Sequence, residues 1–230
     1  MSEARKQLVI AIDGPAGAGK STIAARLARK LGYVNIETGA MYRALALKAV
    51  ESDVSFDDEE ALVHLAARTK IRLEPTLSGN RVILDNQDVS NRIREDDVTQ
   101  AASRVSVHPK VRQWMVQRQR AMGESGGVVM EGRDIGTKVF PDADLKVFLD
   151  ADPEVRGDRR YRQVSPAIEP PLNRDRDAIL ADLRERDRRD RSRANSPLEP
   201  AADAVVIDST RLTVDEVLDQ IESLVSERAT

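Results

Sequence analysis

The sequence contains no cysteine, which excludes disulfide bonds, thiolate metal sites and cysteine nucleophiles. Aromatic residues are also scarce, with one Trp, three Tyr and three Phe in 230 residues. So few rings offer little surface for stacking on bases, and we therefore do not expect a nucleic-acid-binding protein. No apolar run approaches the length of a membrane span, and the charged opening MSEARKQ lacks the features of a secretory signal. We expect a cytoplasmic protein that does not bind membranes.

Positive and negative charges nearly balance over the whole chain, because 36 basic residues face 39 acidic ones. Basic charge is concentrated between Arg156 and Arg193, where twelve Arg and no Lys stand among eight acidic residues. Guanidinium groups favour forked contacts with phosphate or carboxylate groups. Two interpretations of this segment stay open: an ion-paired helix exposed to solvent, or part of an anion-binding site.

The distribution of apolar residues predicts the fold class. Short apolar runs alternate with helical patterns, which is typical of an α/β fold with a parallel sheet. We predict five parallel strands at residues 8–12, 33–36, 128–130, 145–149 and 204–207. Residues 55–122 interrupt the alternation, and two short strands around a turn at 78–80 predict a small inserted antiparallel hairpin. The length suits a single domain over residues 1–230, and the lack of a heptad repeat favours a monomer.

The strongest motif begins directly after the first predicted strand. Its letters, GPAGAGKST, fit the pattern G-x-x-x-x-G-K-[ST], and an amphipathic helix follows. Glycines here allow a tight turn whose backbone N–H groups point at an anion, and the helix adds its positive N-terminal dipole. Lys20 would contact the β and γ phosphates of a nucleotide, and the Ser21 hydroxyl would bind Mg²⁺. The predicted nucleotide-binding residues are Gly14, Pro15, Ala16, Gly17, Ala18, Gly19, Lys20, Ser21 and Thr22.

Two further groups of polar residues follow predicted strands. Thr38 and Arg43 lie in the first turns of a helix after the second strand, where Thr38 is a good N-cap. Because open α/β sheets bind ligands at the carboxyl ends of their strands, this pair would also suit a second anion. The segment EGRD at 131–134 follows the third strand. We interpret it as positioning Mg²⁺ or water, in preference to a solvent-exposed loop.

The arginine-rich segment contains a first predicted helix that begins near Pro153. Arg156, Arg159 and Arg160 are spaced to share one face of it. A proline-rich stretch without periodicity follows at 165–173. Positive charge flanked by such a stretch suits a mobile cap over the phosphate-binding loop.

A second helix is predicted for residues 174–193. Arg186, Asp190 and Arg193 lie on one of its faces. Two interpretations of this face have equal weight. The three side chains would form a simple intrahelical ion pair, or they would bind a phosphate together with a sugar or a base edge.

Taken as a whole, the chain resembles the bacterial cytidylate kinases of the long type, a family of nucleoside monophosphate kinases. The matching motifs are GPAGAGKST at 14–22, TGAMYRALA at 38–46, the ASRVS…P-x-VR arrangement that includes Ser103 and Arg112, EGRDIGTKVFPDADLKVFLDA at 131–151, and ERDRRDRSRANSPLEPAADA at 185–204. The inserted hairpin resembles the segment that marks the long form. The resemblance implies a three-layer P-loop fold and transfer of the ATP γ-phosphoryl group to CMP or dCMP.

The resemblance also implies roles for single residues. The implied catalytic residues are Lys20, Arg133, Asp134 and Arg159, and Ser21 would be the metal ligand beside ATP. The implied substrate-binding residues are Thr38, Arg43, Ser103, Arg112, Arg133, Asp134, Arg186, Asp190 and Arg193. Within this set, Arg43, Arg133 and Arg186 would bind the CMP phosphate, whereas Ser103, Arg112 and Asp190 would read cytosine. Residues 38–122 would form the acceptor-binding region and residues 152–173 the lid.

Absent motifs narrow the alternatives. The sequence has no N-K-x-D segment and no D-x-x-G after the second strand, so a GTPase switch built on the same loop is not favoured. Among kinases, those acting on AMP, UMP or shikimate are the nearest alternatives. The lid departs most from the family pattern, so the sequence leaves open which of its arginines contacts ATP.

Overall fold

The computed structural model describes residues 7–76, 79–164 and 176–228. The strands in these ranges are β1 (Val9–Asp13), β2 (Val34–Glu37), β3 (Ile71–Thr76), β4 (Gly79–Leu84), β5 (Gln87–Asp88), β6 (Val128–Gly132), β7 (Leu145–Asp150) and β8 (Val205–Asp208). The helices are α1 (Lys20–Leu31), α2 (Thr38–Glu51), α3 (Glu59–Arg68), α4 (Asp96–Val105), α5 (Pro109–Gly123), α6 (Pro153–Val164), α7 (Arg176–Ser192) and α8 (Val214–Arg228). A short 3₁₀ turn, Arg92–Arg94, precedes α4, and a π-helical turn, Ile135–Val139, follows β6.

Five strands form one parallel sheet in the order β2-β6-β1-β7-β8. All five predicted parallel strands are confirmed, with ends shifted by one or two residues. Along the central strand β1, Ile10 and Ile12 pack with α1 and α8, whereas Ala11 packs on the opposite face with Met130. Because both faces are covered, the strand is a continuous apolar run rather than an alternating one.

The inserted segment forms a second, antiparallel sheet of β3, β4 and β5. The predicted hairpin is confirmed, with Ile71 opposite Leu84 and Thr76 opposite Gly79. Val82 and Leu84 pack into a core that they share with α2, α4 and α5. This core fixes the inserted sheet beside the main sheet.

The strand register decides which side chains meet at the ligand edge. Glu37 at the end of β2 lies opposite Glu131 at the end of β6, and Asp13 at the end of β1 lies opposite Gly132. Parallel strands therefore deliver three carboxylates to one edge of the sheet, beside the loop that joins β1 to α1.

Some expectations fall on residues outside the described ranges. The proline-rich stretch 165–173, which is part of the expected lid, is one of them, as are residues 174–175 of the second predicted helix. Across the described ranges, no helix combines the length and the apolar character needed to cross a bilayer.

Candidate active site

The loop between β1 and α1 has a backbone conformation that suits an anion-binding site. Gly14 has a φ of +144°, and a Cβ there would lie 2.0 Å from the backbone oxygen of Leu149, so no side chain fits. Gly19 caps α1 in the left-handed region, with a φ of 96°. These conformations favour glycine and leave the helix N-terminus open to a phosphate.

Lys20 is the first residue of α1, and its side chain is almost completely buried. Its Nζ donates a hydrogen bond to the backbone oxygen of Pro15 at 2.7 Å, which folds the side chain back over the loop. Burial, followed by the nearby Arg133 guanidinium, lowers the pKa of Lys20. A polyphosphate bound here would raise the pKa of Lys20 again, because nearby negative charge favours the charged form of the amine.

Two carboxylates flank this lysine at the ends of neighbouring strands. Glu131 lies beside Ser21, and its Oε1 is buried without a hydrogen-bond partner in the described residues. Burial and the adjacent Glu37 both raise the pKa of Glu131. A cation placed between Ser21 and this pair of carboxylates would offset their repulsion.

Asp13 is a third carboxylate, and it holds the turn after β6. It accepts hydrogen bonds from the backbone N–H groups of Ile135 at 2.8 Å and Gly136 at 2.7 Å. These bonds fix the segment that carries Arg133 and Asp134. Burial raises the pKa of Asp13 from 3.8 to about 6, despite the two hydrogen bonds.

This raised pKa predicts a pH dependence of stability. Between the ordinary pKa in the unfolded chain and the higher value in the folded protein, the folded state binds the proton more tightly, so stability falls as pH rises. We expect the stability of the wild type relative to Asp13→Asn to decrease by at most about 3 kcal/mol between about pH 4 and about pH 6. Urea unfolding of both proteins across this range measures the difference. A wild type that becomes more stable relative to Asp13→Asn as pH rises would contradict the raised pKa of Asp13.

Arg43 and Thr38 lie at the start of α2. Arg43 forms an ion pair with Glu37, and its Nε is buried without a partner in the described residues. The expectation that Thr38 caps α2 is wrong, because Thr38 is the first helical residue and makes no side-chain capping bond. Its hydroxyl instead donates to the backbone oxygen of Glu131 at 2.7 Å, which ties α2 to β6. Sequence spacing does not reveal this bond because its two ends are 93 residues apart.

The arginine cluster forms around Asp190 of α7. Arg133 Nε donates to Asp190 Oδ2 at 2.9 Å, and Arg193 Nη1 lies 3.6 Å from Asp190 Oδ1. Burial, followed by the adjacent Arg133, lowers the pKa of Arg186 to about 10, and its Nε has no partner in the described residues. One carboxylate therefore faces three cations, which leaves net positive charge for a bound anion.

Arg112 makes a second, separate ion pair. Its Nη2 donates to Asp134 Oδ2 at 2.5 Å, and both side chains are buried. The guanidinium also donates to the backbone oxygen of Ser106 and lies over the ring of Tyr42, 5.6 Å from its centroid. The resemblance assigns Arg112 to base recognition together with Ser103 and Asp190, and all three line one cavity. Within it, Arg112 pairs with Asp134, whereas Asp190 pairs with Arg133.

A cavity of about 810 Å³ joins these groups. Of the predicted site residues it is lined by Ala16, Gly17, Gly19, Lys20, Ser21, Thr22, Thr38, Arg43, Ser103, Arg112, Arg133, Asp134, Arg186, Asp190 and Arg193. Ligand pockets commonly have volumes of about 300 to 1,000 Å³, so the space suits a ligand larger than one small metabolite. The predicted residues that do not line it are Gly14, Pro15, Ala18 and Arg159.

The three arginines of α6 do not form the single cluster expected from their spacing. Arg156 is buried and donates to the backbone oxygen of Ala16 at 3.0 Å and to Asp187. Arg159 donates to the hydroxyl and the backbone oxygen of Ser209, outside the cavity. Arg160 lines the cavity. The side chains diverge because α6 packs where the phosphate-binding loop, α7 and the segment after β8 converge.

Unpaired polar atoms point to a ligand in this cavity. Those on residues that line it, without a hydrogen-bond partner in the described residues, are Asn35 Oδ1, Arg43 Nε, Ser103 Oγ, Arg112 Nε, Glu131 Oε1, Arg186 Nε, Arg189 Nε and Arg193 Nη2. Buried polar atoms without partners are costly to folding, so their concentration in one place indicates a binding site. Five of these eight belong to residues that the sequence analysis assigns to the substrate.

Sequence reasoning missed several cavity residues. Glu37 and Tyr42 line the cavity and contact Arg43 and Arg112, and Arg160 was not distinguished from its neighbours. A signal for Glu37 was present, since it ends an apolar strand in the same way as Glu131. No such signal exists for Tyr42, because its role depends on the approach of α5.

A family model and curated relatives that match this chain carry the same description. The sequence model of a family described as cytidylate kinase matches residues 10–227. The cytidylate kinase of Syntrophotalea carbinolica is 47% identical over 97% of this chain and 94% of its own. That of Geobacillus thermodenitrificans is 48% identical over 97% of this chain and 98% of its own. A crystal structure of shikimate kinase from Bacteroides thetaiotaomicron matches with a TM-score of 0.50 and 14% identity, over 95% of this chain and 98% of that one, which shows a shared fold.

Proposed function

The chain belongs to the cytidylate kinase family, and on that premise we propose that it transfers the γ-phosphoryl group of ATP to CMP or dCMP. One observation carries the proposal. A glycine loop with a buried lysine and a cluster of guanidinium groups line the same cavity. Two phosphate-bearing substrates would bind at these two places with their reacting groups between them.

The donor side is the loop from Gly14 to Thr22. Its backbone N–H groups and the dipole of α1 would hold the phosphates of ATP, and Lys20 would contact the transferred group. Residues 152–173 are proposed as the lid, in which Arg160 is the arginine that lines the cavity. The catalytic role of Arg159 stays a prediction, since its guanidinium binds Ser209 in this structure.

The residues beside Lys20 fit Mg²⁺. Ser21 and Glu131 supply two oxygen ligands, and Glu131 Oε1 has no partner in the described residues. No group of three or more His, Cys, Asp or Glu in the described part of the chain could hold a metal by itself. Mg²⁺ accepts such an arrangement, because it usually keeps several waters and binds through one or two carboxylates plus substrate phosphates. When bound, it would neutralise phosphate charge.

The acceptor side combines two ion-paired groups, whose residues come from the proposed acceptor-binding region 38–122, from the segment after β6 and from α7. Arg43, Arg133 and Arg186 would bind the CMP phosphate. The buried pair of Arg112 and Asp134 offers donors and an acceptor side by side. Cytosine needs both, since its exocyclic amine donates while its ring nitrogen and carbonyl accept. Ser103 also lines the cavity, and its hydroxyl has no hydrogen-bond partner in the described residues.

The reaction requires no general base from the protein. The acceptor phosphate is already ionised near neutral pH. One of its oxygens attacks the γ phosphorus in line, while the bond from that phosphorus to the β–γ bridging oxygen breaks and ADP leaves. What the protein must do is bring two polyanions together and offset their repulsion, and the guanidinium groups do this. Closure of a lid would exclude water, which otherwise competes as the acceptor.

A substrate profile tests the proposal. We expect ATP-dependent release of ADP with CMP and dCMP, and much slower release with AMP, UMP or shikimate. The rates are measured with a coupled ADP assay at equal acceptor concentrations. Preference for a different acceptor would overturn the assignment.

The expectations of a monomer and of a cytoplasmic location stay predictions.

Replacement of Asp134 with asparagine tests the base-reading pair. A carboxylate accepts from the amine of cytosine and repels the carbonyl oxygen of uracil, whereas an amide accepts or donates. We expect the ratio of kcat/KM for CMP to that for UMP to fall by about tenfold or more. Glu199→Gln, an exposed acidic residue outside the cavity, is the control and should leave the ratio unchanged. An unchanged ratio in Asp134→Asn would remove this residue from base recognition.

A further inference from the structure

The outer edge of the parallel sheet is hydrogen-bonded by a side chain of the inserted sheet. Strand β2 is the last strand on its side. Asn80, on β4, accepts a hydrogen bond from the Glu37 backbone N–H at 2.9 Å and donates one to the Asn35 backbone oxygen at 2.8 Å. The side chain is buried, with 6% exposure. One carboxamide therefore hydrogen-bonds both the backbone N–H of Glu37 and the backbone oxygen of Asn35 at the open edge of β2.

The carboxamide stands in for a further parallel strand. In a parallel pair, one residue donates to the carbonyl before its partner residue and accepts from the amide after it. Asn80 makes this pattern around Ile36. An exposed strand end is normally free to shift or fray, so the two bonds fix the end of β2.

The fixed backbone leads directly into the acceptor side of the cavity. Glu37, whose amide Asn80 binds, forms the ion pair with Arg43. The next residue, Thr38, anchors α2 to β6. Asn35 and Glu37 themselves line the cavity. Displacement of this strand end would therefore move the carboxylate that orients Arg43.

We propose that Asn80 is a positioning residue for the phosphate acceptor, through which the inserted sheet sets the place of Glu37 and Arg43. The inference rests on the proposed function. Attachment of the inserted sheet does not depend on Asn80, because Val82 and Leu84 anchor it in the core shared with α2. The phosphate-binding loop is held without Asn80, since Lys20 donates a hydrogen bond to the backbone oxygen of Pro15.

Steady-state kinetics of Asn80→Ala and Asn80→Leu test this role. Both variants remove the two hydrogen bonds, and leucine keeps most of the side-chain volume. We expect KM for CMP to rise by about tenfold in both, while KM for ATP changes by less than about twofold. The matched control is Val82→Ala, which weakens the packing of the same strand in the core shared with α2 but leaves both Asn80 hydrogen bonds in place. It should change neither KM by more than about twofold.

Thermal unfolding is recorded for each variant, so that the kinetics are measured well below the transition. Equal increases in the two KM values, or an equal CMP effect in Val82→Ala, would show a merely structural role and overturn the proposal. A wild type that does not phosphorylate CMP would instead overturn the proposed function, so the two failures are distinguishable.

A measurement on the wild type does not depend on the variants folding. Hydrogen exchange of the Glu37 amide should be slow without nucleotide, because Asn80 accepts its hydrogen bond, and slower still with CMP bound. Rapid exchange in both states would contradict a fixed strand end and would overturn the proposal.

Discussion

Replacing Lys20 with methionine is expected to lower kcat by about a thousandfold, in line with the loss of a charged group that stabilises the transition state. Methionine keeps the apolar stem and removes only the ammonium group. That group is almost completely buried, and it lies close to Glu131 and Arg133. In the presence of ATP it would lie on the transferred phosphoryl group, where charge develops during the reaction.

We expect this variant to remain folded. Burial and Arg133 already lower the pKa of Lys20, so the folded protein gains little from the charge. The coupled ADP assay measures turnover, and thermal unfolding measures stability. Lys30→Met is the matched control, because Lys30 is an exposed lysine on the same helix that pairs with Glu222. A folded Lys20→Met enzyme with normal kcat would remove the phosphate-binding loop from the mechanism.

Replacing Asp190 with alanine is expected to lower kcat/KM for CMP by about a hundredfold or more, because a charged hydrogen bond and the order of two guanidinium groups are lost. Asp190 Oδ2 accepts a hydrogen bond from Arg133 Nε at 2.9 Å, and Asp190 Oδ1 lies 3.6 Å from Arg193 Nη1. Burial would raise its pKa, but Arg133 and Arg186 lower it, so the carboxylate is ionised where it holds these cations. Without it, Arg133 loses its carboxylate partner, and the neighbouring cations repel one another.

A comparison of two Asp190 variants separates the loss of its negative charge from the loss of its hydrogen bond to Arg133. We expect Asp190→Asn to retain more activity than Asp190→Ala, since an amide oxygen still accepts from Arg133. Asp215→Ala is the control, because it also breaks an Arg–Asp pair, with Arg26 at 3.0 Å, but on an exposed surface. Unchanged kinetics with CMP in Asp190→Ala would refute its place at the acceptor.

Local sequence patterns predicted a large part of the fold. The glycine spacing from 14 to 22 needs particular backbone angles, such as the φ of +144° at Gly14, and these are properties of neighbouring residues. The five apolar strands were likewise predicted because burial on both faces leaves a signature within five or six residues. Even the inserted hairpin was visible from its turn residues.

Pairings between distant segments were not predictable from such patterns. No sequence pattern indicated the ion pair between Arg112 and Asp134, which lie 22 residues apart. The spacing of Arg156, Arg159 and Arg160 predicted one cluster, yet the three side chains contact three different parts of the protein. Helical spacing fixes a shared face and says nothing about what packs against it.

By itself, the sequence determined the phosphate-binding loop, the parallel strands and the arginine-rich composition of the later helices, because each depends on residues close together in the chain. Tertiary structure alone decided the strand order, and with it the meeting of Glu37 with Glu131 and the docking of Asn80 on β2. These contacts join segments tens of residues apart. Their geometry follows from how helices and sheets pack, which no local spacing encodes.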